Sequence, residues 1–390
     1  MHMNTLREEI ASVLPEAVEL RHHIHQHPEL AFEERATSDL VAERLAAWGY
    51  EVHRGLASTG VVGRLRHGSG TKCLGIRADM DALPITEATG LAYASRHHGK
   101  MHACGHDGHT ATLLAAARHL AQTRRFNGTL HLIFQPAEEG GGGALRMVEE
   151  GLFDKFPCDA VFALHNAPGQ PVGTLAFRSG PTLASADRVV IDIRGRGGHA
   201  AMPHFSADPI VAGSSIVLAL QSIVARNVDP LQSAVVTVGM FQAGTVNNVI
   251  PGTARLELSV RALDREVRKM LRQRITDIAS GHAAGLGCVA EVDYQEGYPV
   301  LVNTDAETAF AARVATELLG PERVLLDKPA VMGSEDFAFM LEHRPGCYLF
   351  LGNGDGAGSC MVHNPGYDFN DAAMETGAAF WSLLTERFLA

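Results

Sequence analysis

The sequence predicts an α/β protein, a mostly parallel sheet flanked by helices and broken by a smaller α+β insert. Three observations predict it. Short apolar runs that close on a polar residue or glycine alternate with amphipathic helical segments between residues 60 and 165. Residues 184–295 then follow the order β-α-β-β-α-β, which is that of a ferredoxin-like sandwich. From residue 296 the earlier α/β character returns, so the insert splits one domain into parts at 1–183 and 296–390.

Two helices are expected over residues 5–48. Leu6, Ile10, Leu14 and Val18 recur at helical spacing, as do Leu40, Val41 and Leu45, and Gly49 is placed to end the second. Between them His22, His23, His25 and His27 precede Pro28, which breaks the helix; surface or hinge packing accounts for these histidines more simply than a metal. Strands are expected at Val61-Val62, Leu74–Ile76, Leu130–Phe134 and Ala160–Leu164. The last three run out at Asp79-Met80-Asp81, Glu138-Glu139 and His165. In a parallel sheet the carboxyl ends of the strands face the ligand crevice, which gathers these side chains beside the turn Cys104–His109. Within the insert, Val189, Ile191 and Ile193 alternate with Arg188, Asp192 and Arg194 as a half-buried strand. A helix from about Ser206 to Arg226 follows, then strands through Val235–Val238 and Arg255–Ala262. A helix capped by Asp264 carries Val267, Leu271, Ile275 and Ile278 on one face, and the strand Val289–Tyr294 closes the unit. Beyond it, the helix Thr304–Leu319, the stretch Met332–Phe337, the strand Cys347–Leu351, a glycine-rich loop ending at His363-Asn364-Pro365 and the helix Ala372–Leu389 complete the first domain.

Composition narrows the function. With a net charge of −11 and no basic run interleaved with aromatics, the chain has no field for nucleic acid. No uncharged run is expected to approach the roughly twenty residues of a membrane span. Six scattered cysteines read as reduced, and the N-terminus lacks the basic, apolar and small-residue pattern of a signal peptide, which points to the cytoplasm.

The densest chemistry lies in Met101–His109, where His102, Cys104, His106, Asp107 and His109 crowd a turn ahead of an Ala/Leu-rich helix. Cys104 is either a nucleophile with His106 or His109 as base, or a metal ligand. The surplus of carboxylates and imidazoles at the strand ends favours metal, because a two-metal hydrolase needs several ligands plus one carboxylate free to deprotonate water. Adjacent glutamates on an extended segment project oppositely, so Glu138 and Glu139 are expected to divide these tasks. On spacing alone His165 and His363 are equally well ordinary structural histidines.

Arg77–Pro84, His102–His109, Gln135–Gly140, Gly197–Pro203 and Asn247–Pro251 together resemble the dinuclear metal amidohydrolases of the aminoacylase and carboxypeptidase G type. The branch is similar to hippurate hydrolases, N-acyl-amino-acid amidohydrolases and plant indoleacetyl-amino-acid hydrolases. His25–Leu30, Gly333–Phe337 and His363–Pro365 fit it too, so the resemblance runs nearly end to end. It implies a metallopeptidase-like catalytic domain interrupted by a lid domain that mediates homodimerisation. It implies two divalent metal ions, manganese or zinc first with cobalt or nickel possible, on Cys104, His106, Glu139, His165 and His363, and Glu138 as general base. His199 falls where relatives bring a lid histidine to the scissile carbonyl, and Asn248 and Arg261 keep the interval at which they hold the substrate carboxylate.

In related peptidases a His-x-Asp pair stands where this chain has Asp79-Met80-Asp81; here the two aspartates are expected to orient a histidine rather than bind metal. The expected reaction is hydrolysis of the amide bond of an N-acyl or N-aroyl amino acid, a small-molecule substrate. The alternatives are a dipeptidase or aminopeptidase on the same metals, and a metal-free cysteine hydrolase.

Overall fold

Leu6, Ile10, Val13, Ala17 and Leu20 form the buried stripe of helix α1 (His2–Gln26), with the expected Leu14 and Val18 packed on its margin. Helix α2 (Arg35–Ala47) buries Val41 and Leu45 and is followed by Gly49 at φ +86°. The computed structural model describes residues 2–354 and 360–390, so residues 355–359 of the expected glycine-rich loop lie outside the described residues.

The chain divides into two compact units. The first comprises Met1–Gly180, Val302–Pro329 and Phe339–Ala390, the second Pro181–Leu301 and Ala330–Ala338. In the first, strands β1 (Glu51–Leu56), β2 (Gly60–His67) and β3 (Cys73–Asp79), helix α3 (His106–Thr123), and strands β4 (Gly128–Gln135) and β5 (Ala160–Pro168) follow in order. They lie in an eight-stranded sheet in the order β1-β2-β4-β3-β5, continued by the strand Gly346–Gly354 and by the short strands Leu175–Ala176 and Val324–Leu325. The sheet has the expected parallel pairing at its centre and is mixed toward its edges. The centre, β4-β3-β5 and Gly346–Gly354, is parallel, whereas β1-β2 and β2-β4 are antiparallel. The β1–β2 turn explains part of this, since a short turn between neighbouring strands forces them antiparallel. Every residue of β4 is buried, as is β3 after Cys73, so the strand ends that carry carboxylates emerge from a dry core.

In the second unit the strands Ser185–Arg194, Ala234–Ala243, Thr253–Ala262 and Val289–Glu296 form one antiparallel sheet, in which the first lies between the third and the fourth. Helices Pro209–Asn227 and Arg265–Gly285 cover it, and Asp264 caps the second by accepting from the amides of Glu266 and Val267. Two expectations need correction here. Residues 330–338, assigned by sequence order to the catalytic domain, group with the insert: Ala184 donates to the carbonyls of Val331 and Gly333, at 3.2 and 2.8 Å. Helix Pro209–Asn227, with mean hydropathy 1.5, is long and apolar enough to cross a membrane by length and composition. It instead packs Ala212, Ile216, Leu220 and Ile223 into the core of the unit.

Candidate metal centre

The first unit gathers its chemistry where β3, β4 and β5 end and α3 begins. Gly105 makes that junction possible: it sits at φ +97°, and a Cβ there would meet Asn166 Oδ1 at 2.3 Å and the Tyr367 hydroxyl at 2.7 Å. Cys104 and His106 flank it, both buried. Two sets of donors, Cys104-His106-His165 and Cys104-Glu139-His363, each have their ligand atoms within 4.8 Å of one another and share the Cys104 sulfur. Cys104 Sγ lies 3.3 Å from His165 Nε2, and Glu139 Oε1 lies 3.1 Å from His363 Nε2 and 4.0 Å from His106 Nε2. The His363 amide donates to the Ala103 carbonyl at 2.6 Å, which ties the C-terminal loop to the cysteine turn.

The donors fit divalent cations. His106 Nε2 is buried without a hydrogen-bond partner among the described residues, an arrangement that costs free energy unless something binds there. His165 bonds its own chain through Nδ1, 2.7 Å from the Asn166 carbonyl, which leaves Nε2 as the free lone pair. Burial, with His109 nearby, holds His165 down at about 3, so it is the neutral imidazole a metal requires. Burial pushes the Cys104 thiol up, more than the neighbouring His106 draws it down. The neighbouring Cys104 sulfur and Glu139 carboxylate raise His363 to about 10. Sulfur, imidazole and carboxylate together suit zinc, manganese, cobalt and nickel.

A layer of carboxylates aims these groups. Asp81 stands 3.2 Å from His106 Nδ1 and accepts from the amides of Glu138 at 3.0 Å and Glu139 at 2.9 Å. Asp79 accepts from Arg77 at 2.7 Å and from His109 at 2.6 Å. The two glutamates lie on a turn, not an extended segment, and each has an oxygen within 4.8 Å of a ligand atom of His106. Their contacts still separate them, because only Glu139 joins Cys104 and His363. The preceding residue, Ala137, has φ +55° and donates its amide to Glu34 Oε1 at 2.9 Å. A left-handed residue with a Cβ costs about 1–2 kcal/mol. A hydrogen bond to a carboxylate contributes about 1.5–3 kcal/mol, enough to hold it there.

Of the histidines before Pro28, His25 is buried between Asp107 at 2.8 Å and Glu87 at 3.4 Å, and His22 meets Asp371 at 2.8 Å. Arg21, fully buried, also pairs with Asp107 at 3.1 Å and Asp368 at 2.9 Å. Sequence reasoning missed Glu34, Arg21, Asn166 and Tyr367. Glu34 follows Glu33, whose exposed side chain pairs with Lys100, and nothing in the pattern distinguishes the two.

In the second unit His199 and Asn248 come together on a two-stranded ladder in which His199 opposes Val249 and Ala200 donates to the Asn248 carbonyl at 3.1 Å. His199 Nδ1 accepts from the Ala201 amide at 3.0 Å, which places the ring proton on Nε2 as an outward donor. The two arginines on one face of the Thr253–Ala262 strand part company. Arg255 is neutralised by Asp192 at 3.3 Å and Glu257 at 3.2 Å. Arg261 bonds the Ser334 hydroxyl at 3.0 Å and pairs with no carboxylate among the described residues.

Residues 75–387 match the profile of the peptidase family M20/M25/M40. The chain is 45% identical over 381 residues to hippurate hydrolase of Campylobacter jejuni, covering 98% of each. It is 40% identical to N-acetyl-L-cysteine deacetylase of Bacillus subtilis, over 99% of this chain and 92% of that one. Among solved structures, a dinuclear metal-binding peptidase of the M20 family from Bacillus subtilis superposes with a TM-score of 0.85 at 33% identity, covering 97% of this chain and 99% of that one.

Proposed function

The chain belongs to the peptidase family M20/M25/M40 and is a metal-dependent amidohydrolase, and from that premise we propose that it splits the amide bond of N-acyl amino acids, releasing a carboxylic acid and a free amino acid. The observation that carries this reading is the pair of donor sets sharing the Cys104 sulfur, with the Glu138 carboxylate beside them. In this reading Cys104, His106, Glu139, His165 and His363 would hold two divalent ions, manganese or zinc. Such ions supply Lewis acidity toward a carbonyl and toward water. Glu138 takes the proton from water and hands it to the departing amine. His199 donates from Nε2 to the oxygen on which charge develops. Arg261 and Asn248 hold the substrate carboxylate, and the lack of an acidic partner at Arg261 supports that role.

The second unit is proposed as the homodimer contact, supported by an apolar helix face on which Val211 and Leu218 are exposed. A cytoplasmic location is proposed on the strength of six free cysteines. The test is a panel of N-acetyl and N-benzoyl amino acids, their C-terminal amides and free-amino dipeptides, assayed before and after chelation. Hydrolysis of the free acids is expected, lost on chelation and restored by manganese or zinc. A preference for free-amino dipeptides, or activity that survives full chelation, counts against the proposal.

A further inference from the structure

We propose that Glu34 is a positioning residue for the catalytic base: by holding the Ala137 amide, its buried carboxylate fixes the direction in which the next residue, Glu138, enters the metal centre. This rests on the role given to Glu138 above. Glu34 stands fully buried at the N-terminus of α2, and its two oxygens take donors from three separate loops. Oε1 accepts from the Phe32 amide at 3.0 Å and the Ala137 amide at 2.9 Å, and Oε2 accepts from the Thr59 hydroxyl at 2.6 Å. All three loops are strained at the contact. Phe32 has φ +63° and Ala137 φ +55°, and Ala57 and Ser58, just before Thr59, have φ +49° and +73°. Residues with a Cβ leave that region when nothing holds them.

Only one of the clamped loops leads to the chemistry. The Ala137 amide goes to Glu34, and the next two amides, of Glu138 and Glu139, go to Asp81. Two carboxylates thus hold three consecutive amides in one orientation. Asp81 fixes the backbone of the two glutamates, while Glu34 fixes the peptide from which they depart. Without Glu34 the Ala137 amide loses its acceptor, and the turn is held there by Gln135 on the Pro136 carbonyl at 3.2 Å and Gly143 on the Ala137 carbonyl at 3.1 Å; the Glu138 carboxylate then shifts while Cys104, His106, His165 and His363, on other elements, stay in place. Glu34 makes no hydrogen bond to Cys104, His106, His165 or His363 among the described residues, so its effect on turnover runs through Ala137.

The test uses the full chain loaded with manganese or zinc, N-benzoylglycine as substrate, and metal analysis beside kinetics. Glu34→Ala is expected to lower kcat about 10- to 100-fold, with KM within about twofold of the parent and metal content unchanged. Glu34→Gln keeps an acceptor oxygen but no charge, so its loss should be smaller, about three- to tenfold. Adding Ala137→Gly to either variant should recover part of kcat, because glycine takes a positive φ without a clamp. The proposal is overturned by parental kcat in Glu34→Ala, by a loss that only tracks lost metal, or by no gain from the glycine. If Glu34→Ala does not fold, Glu34→Gln with and without Ala137→Gly decides, and equal kcat in the parent and Glu34→Gln overturns it. A parent inactive on N-benzoylglycine but active on a free-amino dipeptide defeats the substrate reading instead, and the same variants on that dipeptide still decide the role of Glu34.

Discussion

At the scale of single residues, the site separates groups that hold from groups that react. Glu139 shares a donor set with Cys104 and His363, whereas Glu138 is absent from that set and buried beside it. Replacing Glu138 by Ala should therefore leave metal content unchanged and lower kcat by about 10²- to 10⁴-fold, the usual worth of a positioned general base. Near-normal kcat in that variant would move the base elsewhere. The ligand types were legible as residue types at strand ends. Which glutamate meets Cys104 was not, because the turn at Ala137 and its Glu34 anchor are contacts between residues 103 positions apart. The two arginines of the insert teach the same lesson, since register put both on one face and only their partners told them apart.

At the scale of elements, α1 anchors the start of α3 through buried charge. His25 and Arg21 both meet Asp107, the neighbour of His106 in the first turn of α3. Burial alone would lower His25, but the Asp107 and Glu87 carboxylates hold it up at about 10. A pKa raised above the unfolded value of about 6.5 gives stability that is fully present below that pH and is lost as pH rises through the folded value. The Tm advantage of the parent over His25→Gln should thus be largest near pH 6 and shrink toward pH 10. A gap that stays constant across that range in thermal melts would show that His25 is not charged in the folded chain. The sequence marked His25 as one of four clustered histidines and as the start of a segment that fits the family, with nothing to show that it is buried. Its burial depends on which face of α1 meets α3, and that is a packing outcome.

At the scale of the whole molecule, the second unit carries the helix face proposed above as the homodimer contact. Leu218, 75% exposed, lies on a helix whose opposite face is buried in the core of that unit. If two copies meet there, Leu218→Glu should convert a dimer to a monomer in light scattering while leaving the metal content of the first unit unchanged. A parent that is monomeric at micromolar concentration would remove the proposal. The same helix is long and apolar enough to cross a membrane by length and hydropathy, and it packs one face into the core of its unit.

The sequence by itself determined the element types, the interruption of one α/β unit by a β-α-β-β-α-β insert, and the residue types at the strand ends, because hydrophobic period and turn chemistry are local. Tertiary structure alone decided that the sheet is mixed, that residues 330–338 join the insert and leave Ser334 on Arg261, and that Glu34 and Asp81 orient the turn bearing Glu138. Each of these is a pairing between segments far apart in the chain. Hydrogen bonds and buried charges take whatever partner the packed core presents, and no periodicity records that choice.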